Sequence, residues 1–201
     1  MNLGFVREPN TLIVNVKKIH RGKIFELNLK NFEVKETDYV PANNLRNQQN
    51  FEELDSVLKR SILDKMDNTQ ETALGLSGGL DSLIIALCAF EAETKMTAIS
   101  VGFPKHNNPE IQSATERAQR FNMRLINSNL DPETAAKLYS KVTYIRDEPI
   151  SDISGPAIYK IFELANENKI RIVHFGLGGD EFFWGYDWED RKSTRLNSSH
   201  T

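Results

Sequence analysis

Ala73-Leu-Gly-Leu-Ser-Gly-Gly-Leu-Asp-Ser82 sets two adjacent glycines between an apolar run and the helix-like stretch Leu83-Ile-Ile-Ala-Leu-Cys-Ala-Phe90. Glycine costs backbone entropy and contributes no packing, so a pair of them needs a physical reason. Gly78 and Gly79 let the main chain approach a ligand closely, and a helix starting near Leu80 adds its positive dipole end. Ser77 and Ser82 carry hydroxyls that can donate to phosphate oxygens. An ordinary phosphate loop needs Gly-Lys-Ser/Thr, and this box has no such lysine. Asp81 would repel phosphate unless a cation stood between them, and Mg2+ bridging a triphosphate resolves the conflict. Taken alone, the box also reads as a glycine-mediated turn with a capping aspartate.

A second segment favours the ligand reading. Phe175-Gly-Leu-Gly-Gly-Asp-Glu181 again follows an apolar stretch, and again sets glycines before a carboxylate. Two such loops at one end of a sheet would place Asp81 and Asp180 on either side of one metal–polyphosphate. A purely structural explanation has to account for each loop separately.

Around these loops the chain alternates strand and helix patterns. Helical faces are expected at Phe51, Leu54, Leu58, Ile62 and Met66, then at Leu80, Leu83, Ile84 and Leu87. Pro109 opens a helix that turns Ile111, Ala114, Ala118 and Phe121 inward. Asp131-Pro132 caps one bearing Leu138, Tyr139 and Val142, and a last helix runs from about Pro156 to Asn168. Strands are expected at Thr72–Leu76, Thr97–Phe103, Met123–Asn127 and Arg171–Phe175. The order predicts an α/β fold, a Rossmann-like parallel sheet with flanking helices, whose ligands sit beyond the carboxyl ends of the strands. Upstream, Thr11–Val16 and Lys23–Leu29 read as two strands with a turn between them, and Val40–Asn50 as a polar linker. Two strands cannot close their own core, so this segment should belong to something larger.

Composition narrows the function. The chain has 201 residues, 39% hydrophobic and 26% charged, with a net charge of −3. With no basic run it is not expected to bind nucleic acid, and no apolar stretch approaches membrane-spanning length. The single cysteine, Cys88, allows neither an internal disulfide nor a cysteine metal site, and it reads as a small core filler. Four scattered histidines show no metal-ligand spacing. A soluble, cytoplasmic protein acting on small molecules is the expectation, with the oligomeric state left open.

Ser77-Gly-Gly-Leu-Asp-Ser82 resembles the pyrophosphate loop of N-type ATP pyrophosphatases. Together with Asp147-Glu-Pro-Ile-Ser-Asp152 and Gly176-Leu-Gly-Gly-Asp-Glu-Phe-Phe-Trp-Gly-Tyr186, it is similar to the synthetase domain of glutamine-hydrolysing asparagine synthetases. The motif order agrees over about residues 46–189. The resemblance implies an adenine nucleotide alpha-hydrolase-like sheet, with residues 1–45 as a β remnant of a glutaminase domain and its linker. It implies ATP and Mg2+ as the reagents of an AMP-forming amide ligase, in which β-aspartyl-AMP forms from aspartate and ammonia from glutamine displaces AMP. By the same resemblance Leu76, Ser77, Gly78, Gly79, Asp81 and Ser82 hold ATP and its pyrophosphate, with Gly176, Gly178 and Gly179 opposite. Ser100, Val101 and Gly102 pass the adenine. Asp81 and Asp180 ligate magnesium, and Glu181 belongs to the catalytic group. Asp147, Glu148 and Asp152 lie on the substrate side, although a solvated acidic turn before Pro149 explains them as well.

The departures from the family's pattern matter too. Asn2 stands where the glutaminase half has its nucleophilic cysteine, so this chain is not expected to hydrolyse glutamine. Leu177 stands where many relatives carry a carboxylate that can help deprotonate ammonia, Phe175 replaces the usual serine, and Trp184 stands where glycine is common. Trp184 and Trp188 read as core rather than pocket aromatics. Residues 190–201 resemble a short-read sequencing adapter translated in frame, and they are expected not to be part of the protein. Without them the net charge moves from −3 to −5. The expected protein is thus a fragment, inactive alone. Two alternatives stand beside it: a related ligase acting on another carboxylate (β-lactam synthetase-like or a polysaccharide-locus paralogue), and a non-catalytic nucleotide-binding module.

Overall fold

The computed structural model describes residues 6–39, 51–66, 69–104, 109–146 and 154–179. Four parallel strands form the central sheet: β3 (Thr72–Gly75), β4 (Met96–Gly102), β5 (Arg124–Asn129) and β6 (Ile172–Phe175), in the order β5-β4-β3-β6. An antiparallel hairpin, β1 (Lys23–Leu27) and β2 (Val34–Asp38), precedes it. The helices are α1 (Phe51–Leu63), α2 (Leu80–Glu91), α3 (Pro109–Arg120), α4 (Pro132–Arg146) and α5 (Gly155–Glu167). The expected Rossmann-like parallel sheet with flanking helices is therefore present. The hairpin's assignment to a glutaminase remnant has no support in the fold.

Strand alternation builds two cores, one on each face. Leu74, Leu76 and Ala98 pack with Ala86 and Ala89 of α2, with Ala114 and Ala118 of α3, and with Phe121 just after α3. Ala73 and Ile99 point the other way and pack with Ala165 of α5 and with Ile170. A parallel sheet covered on both faces needs apolar residues at successive positions, which is why β3 and β4 read as unbroken apolar runs. α3 buries the face its periodicity predicts. α4 is capped as expected: the Thr134 hydroxyl donates to Asp131 Oδ2 at 2.6 Å and the Thr134 N–H to Oδ1 at 2.9 Å, and these bonds hold the Asp131 carboxyl below its ordinary range.

Two expectations need correction. In α2 the sheet-facing residues include Ser82, Ala86 and Ala89, while Leu80 and Leu87 stay exposed. Small side chains let the helix settle close to the sheet, and Leu80 instead lines a cleft. Thr11–Val16 is not a strand. Thr11 Oγ1 donates to the carbonyls of Ile13 and Val16, and Asn15 sits at φ 65°, so the segment closes into a turn. Asn tolerates that left-handed conformation, and the hydroxyl replaces a ladder partner. The strand that pairs with β1 is Val34–Asp38, whose charged sequence gives little strand signal.

Glycine at 75 is required by packing. A Cβ there would stand 2.7 Å from the Phe175 ring on the neighbouring strand and 3.6 Å from Ile161. Phe175 itself packs at a tilt against Phe162, with ring centroids 5.4 Å apart and ring planes at 52°. Gly75→Ala must therefore displace a ring held on both sides, and it is expected to lower unfolding free energy by about 1–3 kcal/mol in denaturant titration.

Candidate active site

Sheet order decides where the two glycine loops go. From β3 the chain moves outward to β4 and β5, then returns to place β6 on the other side of β3. The strand order therefore reverses between β3 and β6, and crevices at such switch points are where open α/β sheets take ligands. Gly75 and Phe175 are paired residues at the carboxyl ends of these two strands. The loop after each strand opens on the same crevice.

The first loop is an internally bonded turn. Ser82 Oγ lies 3.1 Å from Ser77 Oγ, 3.3 Å from the Ser77 N–H and 3.2 Å from the Gly79 carbonyl. Ser77 Oγ accepts the Gly79 N–H at 3.1 Å. Ser82 is buried, and its hydroxyl organises the turn. Gly79 is the residue before α2, and no side chain caps that helix. The first-turn amides are thus left to whatever occupies the crevice.

The second loop lies directly on the start of α2. A Cβ on Gly176 would come within 2.6 Å of the Ser82 backbone nitrogen and 2.7 Å of the Asp81 carbonyl carbon. One on Gly179 would overlap the Asp81 carboxylate. These two glycines are needed because the loops touch. Gly178 has a different reason, a φ of 104° that side chains rarely adopt. By contrast, Gly78 and Gly79 have no positive φ, and an added Cβ would meet nothing closer than 3.8 Å at Gly78 and 3.3 Å at Gly79. The protein's own packing leaves room for a side chain at Gly78.

Two lobes open from this junction. The larger, about 920 Å³, is lined by Ser77, Gly79, Asp81 and Ser82, by Gly176 to Gly179, by Leu58 and Ile62 of α1, and by Lys65 just after that helix. The smaller, about 200 Å³, is lined by Leu76, Ser100, Val101, Ile161 and Phe175, with Glu110 and Ser154 at its edge. Ser77, Ser82, Phe175, Gly176 and Leu177 border both lobes. Gly78 and Gly102 border neither; the Gly102 carbonyl is taken by the Leu130 N–H at 2.8 Å. Asp81 has no ion-pair partner among the described residues, and no group of three metal-type ligands occurs among them. Asp147, Glu148, Asp152, Asp180 and Glu181 lie outside the described residues.

Residues 53–200 match the family described as Asparagine synthase. The chain belongs to the asparagine synthase family. It is 29% identical over 193 residues to "Asparagine synthetase [glutamine-hydrolyzing] 1" of Bacillus subtilis, covering 93% of this chain and 30% of that protein. It spans between 29% and 36% of the length of the curated relatives it matches. Among solved structures, an ammonia-dependent NAD synthetase from Campylobacter jejuni superposes with a TM-score of 0.47 at 15% identity, covering 69% of this chain and 62% of that one. An NMN synthetase from Francisella tularensis gives 0.45 at 22% identity, with coverages of 67% and 56%. No helix among the described residues is long and apolar enough to cross a membrane.

Sequence reasoning missed two residues at this site. Arg117 of α3 binds the first loop from behind (below). His174, on β6 beside the larger lobe, was placed in a strand but given no role. Its Nε2 is buried without a hydrogen-bond partner among the described residues, and burial lowers its pKa from the ordinary 6.5. Because the folded-state pKa is depressed, the unfolded chain takes up the proton first. Stability present above about pH 6.5 is therefore lost as pH falls toward the folded value, by at most about 1.4 kcal/mol per pH unit for one group. The denaturant midpoint should drop between pH 7.5 and 5.5, and less so in His174→Phe.

The contrast between the loops gives a second expectation. Gly176→Ala forces the loops apart and should destabilise the fold by about 1–3 kcal/mol, whereas Gly78→Ala should stay within about 0.5 kcal/mol of the parent. Thermal and chemical denaturation of both variants checks the difference.

Proposed function

We propose that this chain is the nucleotide-binding part of an ATP-dependent, AMP-forming amide ligase that activates a carboxylate by adenylation. The single observation that carries the reading is the apposition of the two glycine loops at the switch point. It leaves uncapped helix amides and an Asp81 carboxylate, unpaired among the described residues, facing one crevice.

On this reading the smaller lobe takes adenine. Leu76, Val101, Ile161 and Phe175 offer an apolar slot sized for a flat ring, and Ser100 lies beside them. The Ser77–Ser82 turn and the start of α2 hold the pyrophosphate through main-chain N–H groups, with Gly176, Gly178 and Gly179 closing the other side. Asp81 fits a hard cation: a carboxylate with no ion-pair partner among the described residues, beside amides that select an anion. Asp81 and Asp180 would hold Mg2+, which neutralises charge on the departing pyrophosphate when bound.

The chemistry asks little covalent work of the protein. A carboxylate is a poor electrophile, and attack of its oxygen on the α-phosphate of ATP releases pyrophosphate and leaves an acyl-adenylate. Ammonia then displaces AMP. The chain's residues orient the triphosphate and stabilise the leaving group before reaction, where fixed dipoles are most effective. Glu181 is assigned to the same catalytic group, and Asp147, Glu148 and Asp152 to the acceptor side. With aspartate as acceptor the product is asparagine, and in the complete protein glutamine supplies the ammonia. The family match and the Bacillus subtilis relative's name support that choice. Leu177 is 77% exposed at the border of both lobes, an apolar side chain where the acceptor meets ATP, and it favours a second reading with a different carboxylate.

The test is carboxylate-dependent exchange of labelled pyrophosphate into ATP by the complete gene product. Exchange with aspartate but not with other amino or hydroxy acids supports asparagine formation, and the reverse pattern supports the second reading. Asp81→Asn and Asp180→Asn should each reduce exchange at least about a hundredfold. Exchange at the parental rate in either variant, or ATP cleavage to ADP, would sink the adenylation mechanism.

A further inference from the structure

Arg117 lies on α3, outside every glycine motif, yet it is bonded to the first loop. Its Nη1 donates to the Ser77 carbonyl at 3.0 Å and to the Gly79 carbonyl at 2.7 Å. These carbonyls bracket Gly78, so one cationic nitrogen ties down two peptide units of the box. Ser113, one turn earlier on the same helix, faces Gly78, with its Oγ 3.8 Å from where a Cβ would stand. α3 thus forms the back wall of the loop.

The consequence follows from peptide geometry. A trans peptide is planar, and its C=O and N–H point in opposite directions. Turning the Ser77 carbonyl toward α3 sends the Gly78 N–H away from α3. Turning the Gly79 carbonyl the same way does so for the Leu80 N–H. Neither amide is bonded to an acceptor among the described residues. Leu80 and Gly79 border the larger lobe, while Arg117 borders neither lobe. No carboxylate of the described residues pairs with the guanidinium.

We propose that Arg117 is a positioning residue for the phosphate loop: by gripping the Ser77 and Gly79 carbonyls from behind, it fixes the shape of the loop and aims the Leu80 amide at a phosphate bound in the larger lobe. It also supplies the positive charge that an ordinary phosphate loop takes from its lysine, which this box lacks. A lysine reaches into the site and touches phosphate, whereas Arg117 acts through the backbone. The inference rests on the reading of the box as a pyrophosphate site.

The test is calorimetric titration of the complete gene product with magnesium pyrophosphate and, separately, with adenosine. Absence of pyrophosphate binding by the parent protein would overturn the underlying reading, and this proposal with it. Given parental binding, Arg117→Met should weaken pyrophosphate at least about tenfold, the scale of a lost hydrogen bond from a charged donor. Adenosine affinity should stay within about twofold, because the smaller lobe keeps its walls. Arg117→Lys should recover much of the loss, since both bonds leave a single nitrogen. A purely structural arginine moves both affinities together or neither. Unchanged pyrophosphate affinity in Arg117→Met, an equal loss for adenosine, or no recovery in Arg117→Lys overturns the proposal. If Arg117→Met does not fold, Arg117→Gln takes its place in the same comparison under the same criteria.

Discussion

The contact on which this site depends is the close approach of the Gly176–Gly179 loop to the first turn of α2. Backbone packs on backbone there, with less room than a methyl group at Gly176 and none at Gly179. Such proximity is possible only because β6 pairs directly with β3, so that two loops distant in sequence leave adjacent strand ends. Without that pairing Asp81 would be an ordinary acidic residue in a helix's first turn, a place where a negative charge is favourable for local reasons alone.

Support for this contact comes from both faces of the sheet. On one side Ala86 and Ala89 let α2 sit close to β3, which brings the helix start to the crevice. On the other, Phe175 fills the space that Gly75 leaves, and α5 holds the ring through Ile161 and Phe162. Arg117 completes the frame from α3. The first loop is consequently held by its own serines, by an arginine behind it and by glycines in front, while the amides at the start of α2 are left uncapped. Rigid support around a few unsatisfied donors is what electrostatic preorganisation requires.

Much of this was legible beforehand, for identifiable reasons. β3, β4 and α3 are buried on two faces or along one clear stripe, so their periodicity carries the signal. The glycine pair without a lysine, followed by a carboxylate, marked a loop at a strand end and a helix start at Leu80, and both are present. Thr11–Val16 misled because a β-branched run looks like a strand whatever its ends do; a threonine hydroxyl and a left-handed Asn15 close it into a turn. The face of α2 misled for a different reason. Large apolar residues are assumed to point inward, yet here small ones face the sheet and Leu80 borders the cleft. Arg117 had no local signal at all, since an arginine on an amphipathic helix is the commonest of surface residues.

What the sequence by itself determined is therefore the alternation of elements and the chemistry of each loop: glycines, hydroxyls and carboxylates at strand ends. What only the tertiary structure decided is adjacency. Strand order placed Gly179 against Asp81 and α3 behind Ser77, and it separated the glycines that packing requires, Gly75, Gly176 and Gly179, from Gly78, which it does not. The physical reason is that residue pattern reports which side of an element is buried. Which element comes to lie beside it is settled by packing between segments a hundred residues apart.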